Sequence, residues 1–179
     1  MRQVVLCIKT MVRLEAVLHS WRTVRADAAQ AVEDFPADQL EFRATDDLMT
    51  FRQLALHILN AGNGLIGLLL DGEDNFSTPE FRERLKQYAS GLGAQADAGE
   101  IAAALRSSWE QWESKLAAVP ADFWAGMMTR MDGQQVTKLE MLQYAKEHEI
   151  THRSQMFVYL RLKGVVPPTT RRRMALGKK

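Results

Sequence analysis

Residues 137–164 read TKLEMLQYAKEHEITHRSQMFVYLRLKG, and this stretch decides the class of fold. It opens on Thr137 with Glu140 three residues later, the spacing of a capping box, in which each residue's side chain satisfies the other's free backbone N–H. It closes on Gly164, which suits the left-handed position past a helix end, and Pro167-Pro168 prevents continuation. Between these ends Met141, Leu142, Ala145, Met156, Tyr159 and Leu160 recur at spacings of three and four, the stripe of an amphipathic helix. His148 and His152 occupy the middle of that stripe. Residues four apart on a helix stand one above the other, so two imidazoles are expected to point together into the interior.

Working outward, three more segments carry the same period. The first runs from about Met11 to Glu33 on Leu14, Val17, Leu18, Trp21, Val24, Ala28 and Val32. The second starts at the capping-box spacing Thr50-Phe51-Arg52-Gln53 and ends before Asp71-Gly72, with Leu54, Ala61, Leu65 and Leu68 inward. His57 fills the remaining slot of that stripe. The third starts near Asp97, with Glu100 three residues on, and runs through Trp109 and Trp112 to Val119-Pro120. Long connections separate the four. Within them a short helix is expected over Pro79–Tyr88, a turn at Ala121–Trp124 and another at Met131-Asp132-Gly133-Gln134. No alternating pattern is long enough for a sheet. The expectation is an all-α fold, a four-helix bundle with long connections, whose connectivity the sequence leaves open.

The totals agree with one domain: 179 residues, 46% hydrophobic, 25% charged and a net charge of +1. That balance gives no electrostatic pull toward nucleic acid or an acidic membrane. The apolar run Gly64–Leu70 is too short to span a bilayer, and no signal peptide is read at the start. Cys7, the single cysteine, lies in an apolar run and reads as buried; a cytoplasmic setting follows. The organisation expected is an extension over 1–10, the bundle over 11–168, and a solvated basic tail over 169–179 containing Arg171-Arg172-Arg173.

Three histidines interrupting apolar stripes need an explanation. A buried imidazole without a partner costs about 1–3 kcal/mol, so each has its own hydrogen bond or all three share one ion. His57, His148 and His152 form a first shell suited to a divalent metal, and three protein ligands leave positions open for chemistry. His19 has no such spacing and reads as structural or exposed. Asn60 and Gln155 share faces with His57 and His152 and are candidates to line a pocket, as is Glu149 (or Glu147) for an acid role. Trp109, Trp112 and Trp124 read as core.

The segments Phe51–Ile58, Glu147–Gln155, Tyr159–Pro168 and Phe35–Leu40 together resemble the DinB/YfiT-like superfamily of bacterial helical-bundle metalloenzymes. The resemblance covers about Met11 to Pro168, with Ser154 where a glycine is frequent. It implies that His57, His148 and His152 are the metal ligands, that the ion is zinc or nickel (iron or manganese next), and that the chain forms a homodimer acting on a small-molecule ligand. It also implies a metal-dependent transferase using a low-molecular-weight bacterial thiol such as bacillithiol or mycothiol. A metal-dependent hydrolase and a non-catalytic, stress-related metal- or ligand-binding protein are the alternatives. The ion would lower the pKa of a bound water to roughly 7, or hold a thiol as thiolate.

Overall fold

A computed structural model of the chain describes residues 12–177. The expected extension over 1–10, and Cys7 with it, lies outside the described residues. Four long helices carry the fold: α1 (Leu14–Asp34), α2 (Phe51–Leu70), α4 (Ala98–Ala117) and α6 (Lys138–Leu162). Three shorter ones are α3 (Phe81–Leu85), α5 (Ala121–Ala125) and α7 (Pro168–Leu176). The three capping boxes are all formed, at Thr50/Gln53, Asp97/Glu100 and Thr137/Glu140. Gly164 takes the expected positive φ of 74° after α6.

Side-chain pairs give the connectivity. Trp21 and Arg25 of α1 meet Glu149 of α6, and Asp27 meets Arg153, so α1 and α6 run parallel. Arg22 pairs with Glu113 and Glu33 with Arg106, so α4 runs against α1. His57 faces His148 while Phe51 lies beside Tyr159, so α2 runs against α6. Around the bundle the order is therefore α1, α4, α2, α6. The successive helices α1 and α2 stand diagonally, as do α4 and α6, while α2 and α4 are parallel neighbours. A parallel neighbour forces the chain to return along the whole bundle, about 30 Å for a 20-residue helix. Residues 71–97 make that return.

The returning segment packs tightly on α2 because α2 carries glycines where side chains would collide. A Cβ on Gly64 would lie 2.6 Å from a Leu85 methyl, and one on Gly67 would lie 2.3 Å from the Tyr88 ring. Glycine inside a helix costs about 1 kcal/mol against alanine, so the close approach is what it offsets. Gly67→Ala is accordingly expected to lower the urea midpoint despite the better helix former, because the Tyr88 ring must leave its seat beside Asp71. A raised midpoint would show that Tyr88 moves aside without cost.

The apolar interior is divided into two clusters. One gathers Val32, Phe35, Phe51, Ile58, Leu105 and Met156; the other gathers Leu18, Trp21, Ile66, Trp109, Leu116 and Leu142. Between them runs a polar layer. Arg25 and Glu149, each only 1% exposed, pair at 2.8 Å, and Glu149 also accepts from Trp21 Nε1 at 2.7 Å. Gly62 of α2 leaves the room, since a Cβ there would sit 2.5 Å from Arg25 Nη2.

Two expectations are corrected. Residues 127–137 form a hairpin, β1 (Met127–Thr129) against β2 (Gln135–Thr137), in antiparallel register. Its strands are three residues each, too short for period-two alternation to register, and Gly133 turns it at φ 82°. The hairpin also holds the return segment, with Phe76 N–H donating to Thr129 C=O at 2.8 Å. The basic tail expected over 169–179 is instead, over its described part, the helix α7, which Pro168 starts. Arg172 grips the buried Asp27 with two bonds of 2.6 and 3.0 Å, and Arg171 pairs with Asp34 at 2.5 Å. Acids at the inner and C-terminal positions of α1 thus turn a charge run into a docking face.

By length and composition α2 could cross a membrane, with a mean hydropathy of 1.3 over an 18-residue window. That window is 67% buried inside the protein, where α2 is flanked by α4, α6 and the return segment. It is a core helix.

Candidate metal centre

Antiparallel packing of α2 against α6 brings His57 opposite His148 and His152. His57 Nε2 lies 3.3 Å from His148 Nε2, which lies 3.1 Å from His152 Nε2. All three ligating nitrogens fall within 4.8 Å of one another. Three nitrogens at 2.0–2.1 Å from one tetrahedral ion stand about 3.3–3.4 Å apart, close to the two separations that His148 makes. The rings are steeply inclined, His57 to His152 at 86° and His148 to His152 at 76°, which keeps three ring edges on one point without overlap. His148 Nε2 touches both of the other nitrogens and has a single lone pair or proton to share between them, whereas a cation takes a lone pair from each ring. The donor set fits a divalent metal.

His152 Nδ1 stands 2.8 Å from Gln155 Oε1. With the amide oxygen accepting, the proton is on Nδ1 and the bare lone pair is on Nε2, the tautomer a metal needs. Gln155→Ala removes that orienting bond at an exposed position. Metal affinity is expected to fall by roughly 10–100-fold with the unfolding midpoint of the metal-free protein unchanged, as competition with a chromogenic chelator would show. Equal affinity would assign Gln155 no part in holding the ring.

Burial, and then the charge of a neighbouring imidazole, hold His57 below the ordinary histidine value. The same causes hold His148 down to about 4, with His152 and His57 both contributing. Both rings therefore stay neutral and ligand-competent at neutral pH. In the unfolded chain the His148 ring titrates near 6.5. From about pH 6.5 down to about 4 the unfolded chain binds a proton that the folded chain refuses, so stability of the metal-free protein falls as pH falls through that window. Across it, the urea midpoint of His148→Gln is expected to depend less steeply on pH than that of the parent.

The site is at the flank of the bundle. All three histidines are half-buried, not sealed in the core as the stripe suggested. At mid-height the innermost residue of α6 is Glu149, buried against α1, while His148 and His152 turn toward α2. One residue is a 100° rotation on a helix, and a glutamate at 149 reads as surface until its partner is known. The signal for that partner was Arg25, four residues after Trp21 and three before Ala28 on the buried face of α1.

Glu149 consequently does not serve the imidazoles, since its bonds go to Trp21 and Arg25. Exposed Glu147 accepts from Gln143 at 2.7 Å. Asn60, expected near His57, instead accepts from the Ser90 N–H at 2.8 Å and ties down the return segment. Trp109 and Trp124 are buried core. Trp112 is half-buried and donates to Asn63 at 2.9 Å. His19 is exposed.

The family model described as the DinB family matches residues 9–176, α7 included. A search of curated proteins finds no match. Among solved structures, YfiT from Bacillus subtilis, described as a probable metal-dependent hydrolase with an unusual four-helix bundle topology, superposes with a TM-score of 0.66 at 21% identity, covering 85% of this chain and 88% of that one. A DinB-like protein from Bacillus cereus gives 0.65 at 19% identity, with 86% and 95% covered. A mycothiol-dependent maleylpyruvate isomerase gives 0.61 at 15% identity, covering 81% of this chain and 61% of that longer one.

Proposed function

The chain belongs to the DinB family, and from that premise and the three converging imidazoles we propose that it holds one divalent ion, zinc or nickel, on His57, His148 and His152. We propose further that it uses the ion to transfer a low-molecular-weight thiol to a small electrophile. When bound, the ion supplies positive charge that favours a thiolate and polarises a substrate oxygen. The chain's own part is positional: two helices hold the three rings, Gln155 orients one of them, and the flank location leaves the open side accessible.

The observation that carries the thiol reading is the absence of a carboxylate from the cluster among the described residues. Hydrolysis calls for a group to take a proton from water and return it to the leaving group. The two acids nearest in sequence, Glu147 and Glu149, are engaged elsewhere. A thiol that coordinates the ion releases its proton to solvent on binding, and its attack on an electrophile then calls for no base from the protein. The mycothiol-dependent isomerase is consistent with this reading, while YfiT's description favours the hydrolase alternative.

The test uses zinc- or nickel-loaded protein with bacillithiol or mycothiol and a chromogenic electrophile such as chlorodinitrobenzene. Thiol and electrophile are expected to disappear together at a rate that His57→Ala abolishes. Metal-dependent ester cleavage with no thiol present, and none of the coupled consumption, would replace the transferase with the hydrolase.

A further inference from the structure

Beside the imidazoles, between α2, α6 and the loop that precedes α2, lies a groove of about 160 Å³. Leu54 and Tyr159 form its floor, and Ala44, Leu48 and Met49 of the loop form its far wall. The loop is held in place by Tyr159, whose hydroxyl donates to the Met49 carbonyl at 3.0 Å. Two apolar side chains at the rim stand in water, Leu48 at 39% and Val158 at 54% exposure.

The groove adjoins the imidazoles through Gln155. Leu54 lies three residues before His57 on the same face of α2. Gln155 lines the groove while its Oε1 touches His152 Nδ1. With that oxygen engaged, the Gln155 amide nitrogen makes no hydrogen bond among the described residues and is available to a bound molecule. The Gln155 end of the groove thus lies next to the imidazoles, and the rest of its lining is apolar but for the Tyr159 hydroxyl. A cavity of about 150 Å³ lined by apolar side chains is known to bind benzene, which sets the size of what fits.

We infer that this groove is the subsite for the apolar arm of the substrate, an aromatic ring or a branched alkyl group of similar bulk, whose reacting end lies at the three imidazoles. The inference rests on the metal reading proposed above. It makes Ala44, Leu48 and Val158 specificity-determining residues, and it accounts for exposed apolar side chains at the mouth of a polar site.

Two hydroxamates that differ only in their arm test it by calorimetric titration of the zinc-loaded protein. Phenylacetohydroxamate is expected to bind at least about tenfold tighter than acetohydroxamate, from burial of the ring. In methyl-labelled protein the ring should shift the Leu54 and Val158 resonances, and acetohydroxamate should not. Ala44→Trp, which fills the groove from the loop, and Val158→Lys, which puts a charge at its rim, are each expected to bring the ratio of the two affinities close to one. Both positions are exposed, so folding tolerates the changes. A ratio near one in the parent protein, or a tenfold ratio that survives both changes, overturns the subsite. Failure of the protein to take up zinc when it is loaded for the titration overturns the metal reading instead.

Discussion

His148→Ala is expected to abolish stoichiometric metal retention: protein produced without an affinity tag should carry about one divalent ion per chain, and the variant close to none. Of the three rings, His148 is the one whose Nε2 is within 3.3 Å of both others, so its loss opens the middle of the shell. Removing a partner that merely orients a ligand costs about 10–100-fold in affinity. Removing the ligand itself therefore costs at least about a hundredfold. The fold survives, because His148 is half-buried and contributes a ring that burial already disfavours in its charged form. Thermal unfolding gives a second readout. An ion at a hundred times its dissociation constant stabilises the native state by about 2.7 kcal/mol, and added zinc should raise the melting temperature of the parent but not of His148→Ala. Equal metal content in parent and variant would leave the proposed chemistry without a basis.

The largest effect on stability is expected at Glu149. Glu149→Ala strips the carboxylate from a guanidinium that is 1% exposed and lies between two apolar clusters. Leaving one partner of a buried ion pair alone costs about 3–5 kcal/mol, which for a chain of this size lowers the melting temperature by roughly 6–20 °C. The pair is itself incompletely satisfied: Arg25 Nε and Nη1 and Glu149 Oε1 have no hydrogen-bond partner among the described residues. Replacing both ends with apolar residues, Arg25→Met with Glu149→Leu, is therefore expected to recover part of the loss, since well-packed apolar pairs often equal a buried ion pair, while the Trp21 indole N–H stays without its acceptor. Unfolding of the metal-free proteins measures both effects without interference from ligand binding. A single substitution within about 1 kcal/mol of the parent would mean that water reaches Arg25 when its partner leaves.

The two experiments separate functions that adjacent residues perform. His148 points toward α2, to the proposed metal site; Glu149 points toward α1 and pairs with Arg25. The apolar stripe of α6 made both histidines legible as members of the buried side of the helix, and His57 legible as their partner on α2. It placed them one position too deep, because the stripe was drawn through neutral residues only. Glu149 belongs on that stripe, and only the presence of Arg25 across the interface makes a glutamate admissible there.

Local chemistry determined the secondary structure. Capping boxes at Thr50, Asp97 and Thr137, the stop at Gly164 and the three-and-four spacing place the long helices within a few residues of their observed ends, since each signal concerns groups a few residues apart. The same locality explains what was lost: strands of three residues and a charge-rich final helix have too little pattern of their own. Connectivity was beyond the sequence for a different reason. Whether α1 lies beside α2 or diagonal to it depends on which faces bury together, and that is settled by distant pairs such as Arg22 with Glu113 and Trp21 with Glu149. The histidines were readable as candidate ligands from their own helices; that they meet at one accessible point on the flank follows from the rotation of α6, which the packing of all four helices decides.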